Sequence, residues 1–284
     1  MPVPRAASRG RCCTDQMPHP ASALQSAAAA SPLLAVRDVS VRFGGIVALD
    51  GVSFDVKAGE IAGLIGPNGA GKTTLFNCLS RLYECSRGSI TFDGQSLIAM
   101  PRHAMAGTGI GRTFQNLALF ARMSVLDNVK VGRHCRTTSG FLPNALRLPR
   151  VGVEEAATAQ RADELVRFLE LADVANTAVA ELPFAMQKRV ELARALASEP
   201  RLLLLDEPAS GLNHEEVRAL GRLIREIRDR LGVTILLVEH HMGLVMGVSD
   251  KVVALNFGRK IAEGAPADVR THPDVIQAYL GAVG

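Results

Sequence analysis

Nowhere does this sequence hold an apolar run of about 18 residues, so the chain does not cross a membrane by itself. Metal-ligand spacing is missing too. The five cysteines, Cys12, Cys13, Cys78, Cys85 and Cys135, are odd in number and scattered, which argues against a disulfide framework or a zinc site. They read as reduced thiols of an intracellular protein. Clustered basic charge is also lacking. Of the formal net charge of +4, Arg5, Arg9 and Arg11 against Asp15 already place +2 within residues 1–31. The remainder is nearly neutral and has no basic stripe of the kind that tracks nucleic acid. Residues 1–31 have almost no large apolar side chains and none of the continuous apolar stretch of a secretory signal. Their Ala-, Ser-, Pro- and Arg-rich composition cannot offset the entropy of ordering them, so a disordered tail is expected there.

From Leu33 onward the pattern changes, and residues 32–284 are long enough for one large domain. Val39, Val41 and Phe43, then Val52, Phe54 and Val56, alternate as in strands. With Ile90 and Phe92 they predict a small antiparallel sheet. Ile61 to Ile65 is a short apolar run that suits a buried parallel strand, and a helix is expected from Lys72 to Leu82. Later segments alternate: a helix after Gln187, a strand at Leu202–Leu205, a helix carrying Val217, Leu220, Ile224, Ile227 and Leu231, and a strand at Val233–Val238. This order predicts an α/β core with a mainly parallel sheet. No strand is evident between Asn116 and Glu181, so about 116–190 reads as a helical subdomain, with Leu142–Gly152 as an insertion. No internal repeat is found.

Two segments carry chemistry. Gly66, Pro67, Asn68, Gly69, Ala70, Gly71, Lys72 and Thr73 match G-x-x-x-x-G-K-[ST] between a strand and a helix. In such a loop backbone N–H groups converge on phosphate oxygens, and the helix directs its positive end at the same anion. Lys72 would reach the β and γ oxygens, and the Thr73 hydroxyl would ligate Mg²⁺. With Thr74 these are the candidate ATP-binding residues. The second segment is Leu202–Glu207, an apolar strand that brings two carboxylates to its C-terminal end, where open α/β sheets place ligands. Asp206 would hold the metal and Glu207 would polarise the attacking water as general base. An N-K-x-D base-reading motif is absent, which speaks against a GTPase.

Together these segments resemble the ATP-binding cassette (ABC) ATPases, and the resemblance covers nearly everything from Leu33 onward. It implies a P-loop NTPase core with a small antiparallel β subdomain and a helical subdomain. Phe43, before Gly44-Gly45, resembles the aromatic that stacks on adenine, although its parity with Val39 and Val41 equally suits a core residue. Gln115, in Arg112-Thr113-Phe114-Gln115-Asn116, resembles the family's lid glutamine, which approaches Mg²⁺ and water. His240 in Glu239-His240-His241-Met242 resembles the switch histidine at the γ-phosphate, while a lone histidine at a strand end is also a common structural feature. His241 is given no role. Ser210-Gly211-Leu212-Asn213 resembles the loop that crosses the dimer interface, and Asn213 with Glu216 also suits a helix cap.

The signature segment departs from the family. Where most members read L-S-G-G-Q, Leu182-Pro183-Phe184-Ala185-Met186 stands, followed by Gln187-Lys188-Arg189. Pro183 brings neither hydroxyl nor N–H, so a weakened contact with a partner's ATP is expected. Within the family the stretches Arg112–Phe120, Glu239–Asp250 and Thr271–Gly281, with Glu263-Gly264, resemble ATPase subunits of branched-chain amino-acid importers; urea and amide importers have very similar ATPases. The resemblance implies a second ATPase in a head-to-tail dimer, membrane permease subunits, an extracytoplasmic solute-binding protein and a place on the cytoplasmic face of the membrane. It implies no nucleic-acid partner. A non-catalytic or weakly catalytic subunit is the alternative that the altered signature keeps open.

Overall fold

The structure is a computed structural model that describes residues 31–113, 117–137 and 149–280. The tail 1–30, the lid glutamine Gln115 with Phe114 and Asn116, the Leu142–Leu148 part of the expected insertion, and Gly281 lie outside the described residues.

Two sheets form the framework. The smaller is antiparallel, in the order β2 (Ile46–Val56), β1 (Leu34–Phe43), β4 (Arg87–Phe92), β5 (Gln95–Ser96). The larger has the order β10 (Arg259–Gly264), β9 (Lys251–Asn256), β3 (Ile61–Ile65), β8 (Thr234–Val238), β7 (Leu202–Asp206), β6 (Ile110–Arg112). Its strands from β9 to β6 pair in parallel, and β10 joins β9 antiparallel. Strands β3, β7 and β8 are buried along their whole lengths. That is why they read as unbroken apolar runs instead of alternating ones.

The period-2 geometry of a strand divides these runs between two cores. Ile61, Ile65, Leu203, Leu205, Ile235 and Leu237 face a layer of helices. Ala62, Leu64, Leu202, Leu204, Leu236 and Val238 face the opposite way, toward the small sheet and helix α1 (Lys72–Leu79). The helical layer holds α2 (Val125–Gly132), α3 (Pro149–Phe168), α4 (Phe184–Ala197), α5 (His214–Leu231) and α6 (Met242–Val248). Two short helices, α7 (Pro266–Thr271) and α8 (Pro273–Leu280), close the chain. Among the described residues between 117 and 181 there is no strand, only an isolated bridge between Ser124 and Ala178.

Three local expectations change. Helix α1 stops at Leu79 instead of Leu82, with Arg81 at φ 58° turning the chain away. Helix α4 starts three residues ahead of Gln187, directly after Pro183. Phe43 is not a core residue: register shifts at Val39, Val41 and Arg42 break the alternation, and its side chain is half exposed. Each bulge inserts an offset that a strict period-2 count cannot follow.

Candidate active site

Because β3, β6, β7 and β8 are parallel, their C-terminal ends open on one edge of the sheet. The phosphate loop follows β3, Arg112 and Thr113 end β6, Asp206 and Glu207 end β7, and Glu239 and His240 follow β8. Segments separated by more than a hundred residues therefore converge by topology alone.

The loop is held from outside as well as from within. Gly66, at φ 154°, lies so near β9 that a Cβ there would stand 2.3 Å from the Leu255 carbonyl oxygen. Gly71, at φ 98°, is the N-cap of α1, and a Cβ on it would meet the Ala48 carbonyl and the Leu49 side chain, both at 2.7 Å. Only glycine satisfies the backbone angle and the close approach together at these positions. Lys72 Nζ donates to the carbonyls of Gly66 (2.6 Å) and Pro67 (3.0 Å), so the ammonium lies inside the curl of its own loop. It is 8% exposed. Burial pushes its pKa below the ordinary lysine value, and the nearby carboxylates of Glu207 and Asp206 oppose that shift.

Asp206 is buried and accepts a hydrogen bond on Oδ2 from Arg112 Nη2 at 2.9 Å. The same guanidinium donates through Nη1 to Asn77 Oδ1 (3.0 Å) and Ser80 Oγ (2.9 Å) on and beside α1, and lies over the Phe76 ring. Arg112 thus ties the β7 carboxylate to the helix that follows the phosphate loop. Its part in the site was not read from the sequence. The parallel pairing of β6 with β7 sets Arg112 beside Leu204, within reach of Asp206 at the end of β7. The Asp206 carboxylate beside the Lys72 loop is a hard oxygen donor of the kind a divalent cation such as Mg²⁺ takes.

Glu207 has φ 48°, a left-handed backbone that a branch-free glutamate adopts at a cost of about 1 kcal/mol. Its N–H remains in the ladder, donating to Val238 O at 2.9 Å, so the strand ends immediately past Asp206 and the Glu207 side chain is turned out at the sheet edge. His240 Nδ1 stands 3.8 Å from Glu207 Oε2, and the imidazole is 61% exposed. Glu239 between them in chain order is fully buried. His241 does have a role: Nδ1 accepts from the Leu244 N–H at 3.2 Å and caps α6.

Phe43 lies edge-on to Tyr83 with ring centroids 5.1 Å apart, both rings partly in solvent. The Asn213–Glu216 pair forms a capping box at the start of α5, as its spacing predicts. Pro183 is the N-cap of α4 and not its first helical residue. Its carbonyl accepts from the N–H groups of Met186 (2.9 Å) and Gln187 (3.1 Å), and Phe184 is half exposed. Gln115 lies outside the described residues, so its distance from Asp206 is not part of this geometry.

Comparison with known proteins agrees with this arrangement. Residues 49–210 match the ABC transporter family, and residues 259–284 match the branched-chain amino acid ATP-binding cassette transporter family. The chain is 42% identical over 250 residues to the high-affinity branched-chain amino acid transport ATP-binding protein LivG of Salmonella typhimurium, covering 88% of this chain and 98% of that one. It is 41% identical over 250 residues to BraF, a protein of the same description from Pseudomonas aeruginosa, with the same coverage. Among solved structures, an ATP-binding cassette of an ABC transporter in its ADP conformation superposes with a TM-score of 0.76 at 27% identity, over 88% of this chain and 99% of that one. The nucleotide-binding edge and these matches lead to one conclusion: the chain belongs to the ABC transporter family of ATP-binding proteins, within the branched-chain amino acid group.

Proposed function

We propose that this chain is the ATP-hydrolysing subunit of an importer that takes branched-chain amino acids into the cell. The observation that carries the solute class is the match of its C-terminal segment, together with near full-length similarity to LivG and BraF. Among the described residues no helix is long and apolar enough to cross a membrane, so the pathway for solute belongs to permease subunits. The chain would sit against them on the cytoplasmic face, and an extracytoplasmic solute-binding protein would present the solute.

The proposed chemistry follows from the sheet edge. Loop N–H groups and Lys72 bind the β and γ phosphate oxygens; for Lys72 this means exchanging the Gly66 and Pro67 carbonyls for stronger, charge-assisted bonds. Phe43 and Tyr83 offer the adenine an aromatic face at the rim. Thr73 and Asp206, with Gln115, would hold Mg²⁺, which would supply neutralising charge at the phosphates. Glu207 orients the attacking water, and His240, on the neighbouring strand end, contacts the γ-phosphate. A second ATPase completes the site with its own signature segment. Its ATP in turn meets Phe184, Ala185 and Met186 at the start of α4. ATP favours the closed dimer through contacts made only there, and hydrolysis releases them.

Substituting Glu207→Gln tests this assignment. ATP binding is expected to persist while turnover in the assembled complex falls by about 100-fold or more, the scale of losing a positioned base. Normal hydrolysis by this variant would overturn the assignment of Glu207. For the solute class, ATP-dependent uptake of leucine into vesicles carrying the complex is expected, and uptake of urea alone would replace the branched-chain reading.

A further inference from the structure

Glu239 lies at the end of β8, is fully buried, and is not assigned to any step above. Its carboxylate is satisfied almost wholly by main-chain donors from two different segments. Oε1 accepts from the Ala209 N–H at 2.6 Å. Oε2 accepts from the N–H groups of His240 (3.1 Å) and His241 (3.3 Å). Ala209 is two residues beyond Glu207 and belongs to the tight turn in which the N–H of Ser210 returns to Glu207 O and that of Leu212 to Ala209 O. One side chain thus clamps the turn that carries Glu207 to the strand end that carries His240.

We propose that Glu239 is a positioning residue for ATP hydrolysis: it sets the spacing of Glu207 and His240 and makes the 207–212 turn and His240 move as one unit. Three points support this, and the inference rests on the proposed roles of Glu207 and His240. A buried carboxylate is costly unless several donors meet it, so its burial calls for a specific arrangement. Charge matters as well as size: an amide would direct its own N–H₂ at main-chain N–H donors on one side and lose those bonds. The clamp also spans a place where the strand ladder has ended, because β7 and β8 stop at Asp206 and Val238. Past that point the bond from the Glu207 N–H to Val238 O and the Glu239 carboxylate continue to join the two segments, beside the 3.8 Å approach of His240 Nδ1 to Glu207 Oε2. Ser210–Leu212 belong to the clamped turn, so a partner subunit pressing on them would shift His240 through Glu239.

The test is a double-mutant cycle on the full chain in its assembled complex, reading kcat, the ATP KM and the melting temperature. Glu239→Gln is expected to lower kcat about 10-fold or more, as displacing a reacting group by a fraction of an ångström does, with the ATP KM little changed. Glu239→Asp retains both acceptor oxygens and should recover part of that loss. In a His240→Ala background, Glu239→Gln should cost no more than about 2-fold further, because residues acting through one another are not additive. An unchanged kcat in Glu239→Gln would overturn the proposal. So would a full, multiplicative loss in the His240→Ala background. Should Glu239→Gln fail to fold, Glu239→Asp carries the same cycle, and a fall in kcat that persists undiminished without His240 would again refute it. Normal hydrolysis by Glu207→Gln removes the underlying reading, and this one with it; normal hydrolysis by the Glu239 variants alone removes only this one.

Discussion

The sheet edge that receives this chain's own nucleotide and the α4 start that would face a partner's nucleotide are built in opposite ways. At the first, Lys72, Asp206 and Glu239 are buried, and Gly66 and Gly71 are pressed against β9 and β2. At the second, Pro183 offers no side-chain cap, Phe184 is half exposed, and the turn is held by the bonds of the Met186 and Gln187 N–H groups to Pro183 O and of Gln187 Nε2 to Leu182 O. A site that binds phosphate by itself must have its donors aligned in advance, and burial does this by leaving the backbone one conformation. A segment that would act across an interface must remain accessible. The contrast teaches that one fold carries a buried, pre-set phosphate loop and an exposed helix start side by side.

This comparison can be broken or sharpened by substitution. The largest effect is expected at the buried side. Arg112→Met leaves the Asp206 carboxylate without its guanidinium and should cost about 3–5 kcal/mol of stability, read by thermal or chemical unfolding. A loss below about 1 kcal/mol, the value of a surface pair, would mean that the pair is not structurally buried. Gly66→Ala forces a methyl group toward Leu255 O and should lower ATP affinity about 100-fold, or about 2.7 kcal/mol, in calorimetric titration. Unchanged affinity would show that the loop is not pre-set by β9.

The accessible side should respond less and only in the assembly. Ala185→Gly with Met186→Gln is expected to raise turnover of the complex several-fold, roughly 1 kcal/mol, while ATP affinity of the chain alone does not change. If turnover is unaffected, the altered signature is not limiting. At the rim, Phe43→Ala should weaken ATP binding about 5-fold, near the lower end of base–aromatic stacking, with little change in stability because the ring is half exposed. The smallest effect has an informative sign. Lys72 has a pKa held below its ordinary value by burial, so the unfolded chain binds its proton more tightly than the folded one. Its charge therefore opposes folding fully below the lowered value, and that penalty fades as pH rises through the lowered value toward the ordinary one. Lys72→Met should melt slightly higher than wild type at pH 7, with the gain shrinking at alkaline pH, while ATP binding is lost.

How much of this was legible in the sequence differs by element. The loop at 66–73 and the pair Asp206-Glu207 were readable because local rules fix them: a strand, a tight turn and a helix follow each other within a few residues. The capping box at Asn213 was readable for the same reason. Phe43 was not resolved between core and rim, because bulges in β1 shift its side chain by pairing with β2, which no local count includes. His241 was left without a role, since a cap depends on where α6 begins. Arg112 and Glu239 were passed over as members of quoted stretches. Their partners include Asp206 and Ala209, distant in sequence, and no local pattern points to those bonds.

The sequence by itself thus determined the phosphate-binding chemistry, the α/β class and the family, because each rests on residues adjacent in the chain. The order β10-β9-β3-β8-β7-β6 was a tertiary matter, as was everything that follows from it. Parallel strands bring their C-terminal ends to one edge regardless of their separation along the chain, and only there do Arg112, Asp206, Glu207, Glu239 and His240 become neighbours. Their spacing is set by buried charge and main-chain hydrogen bonds, which act over a few ångströms in space and leave no periodic trace in sequence.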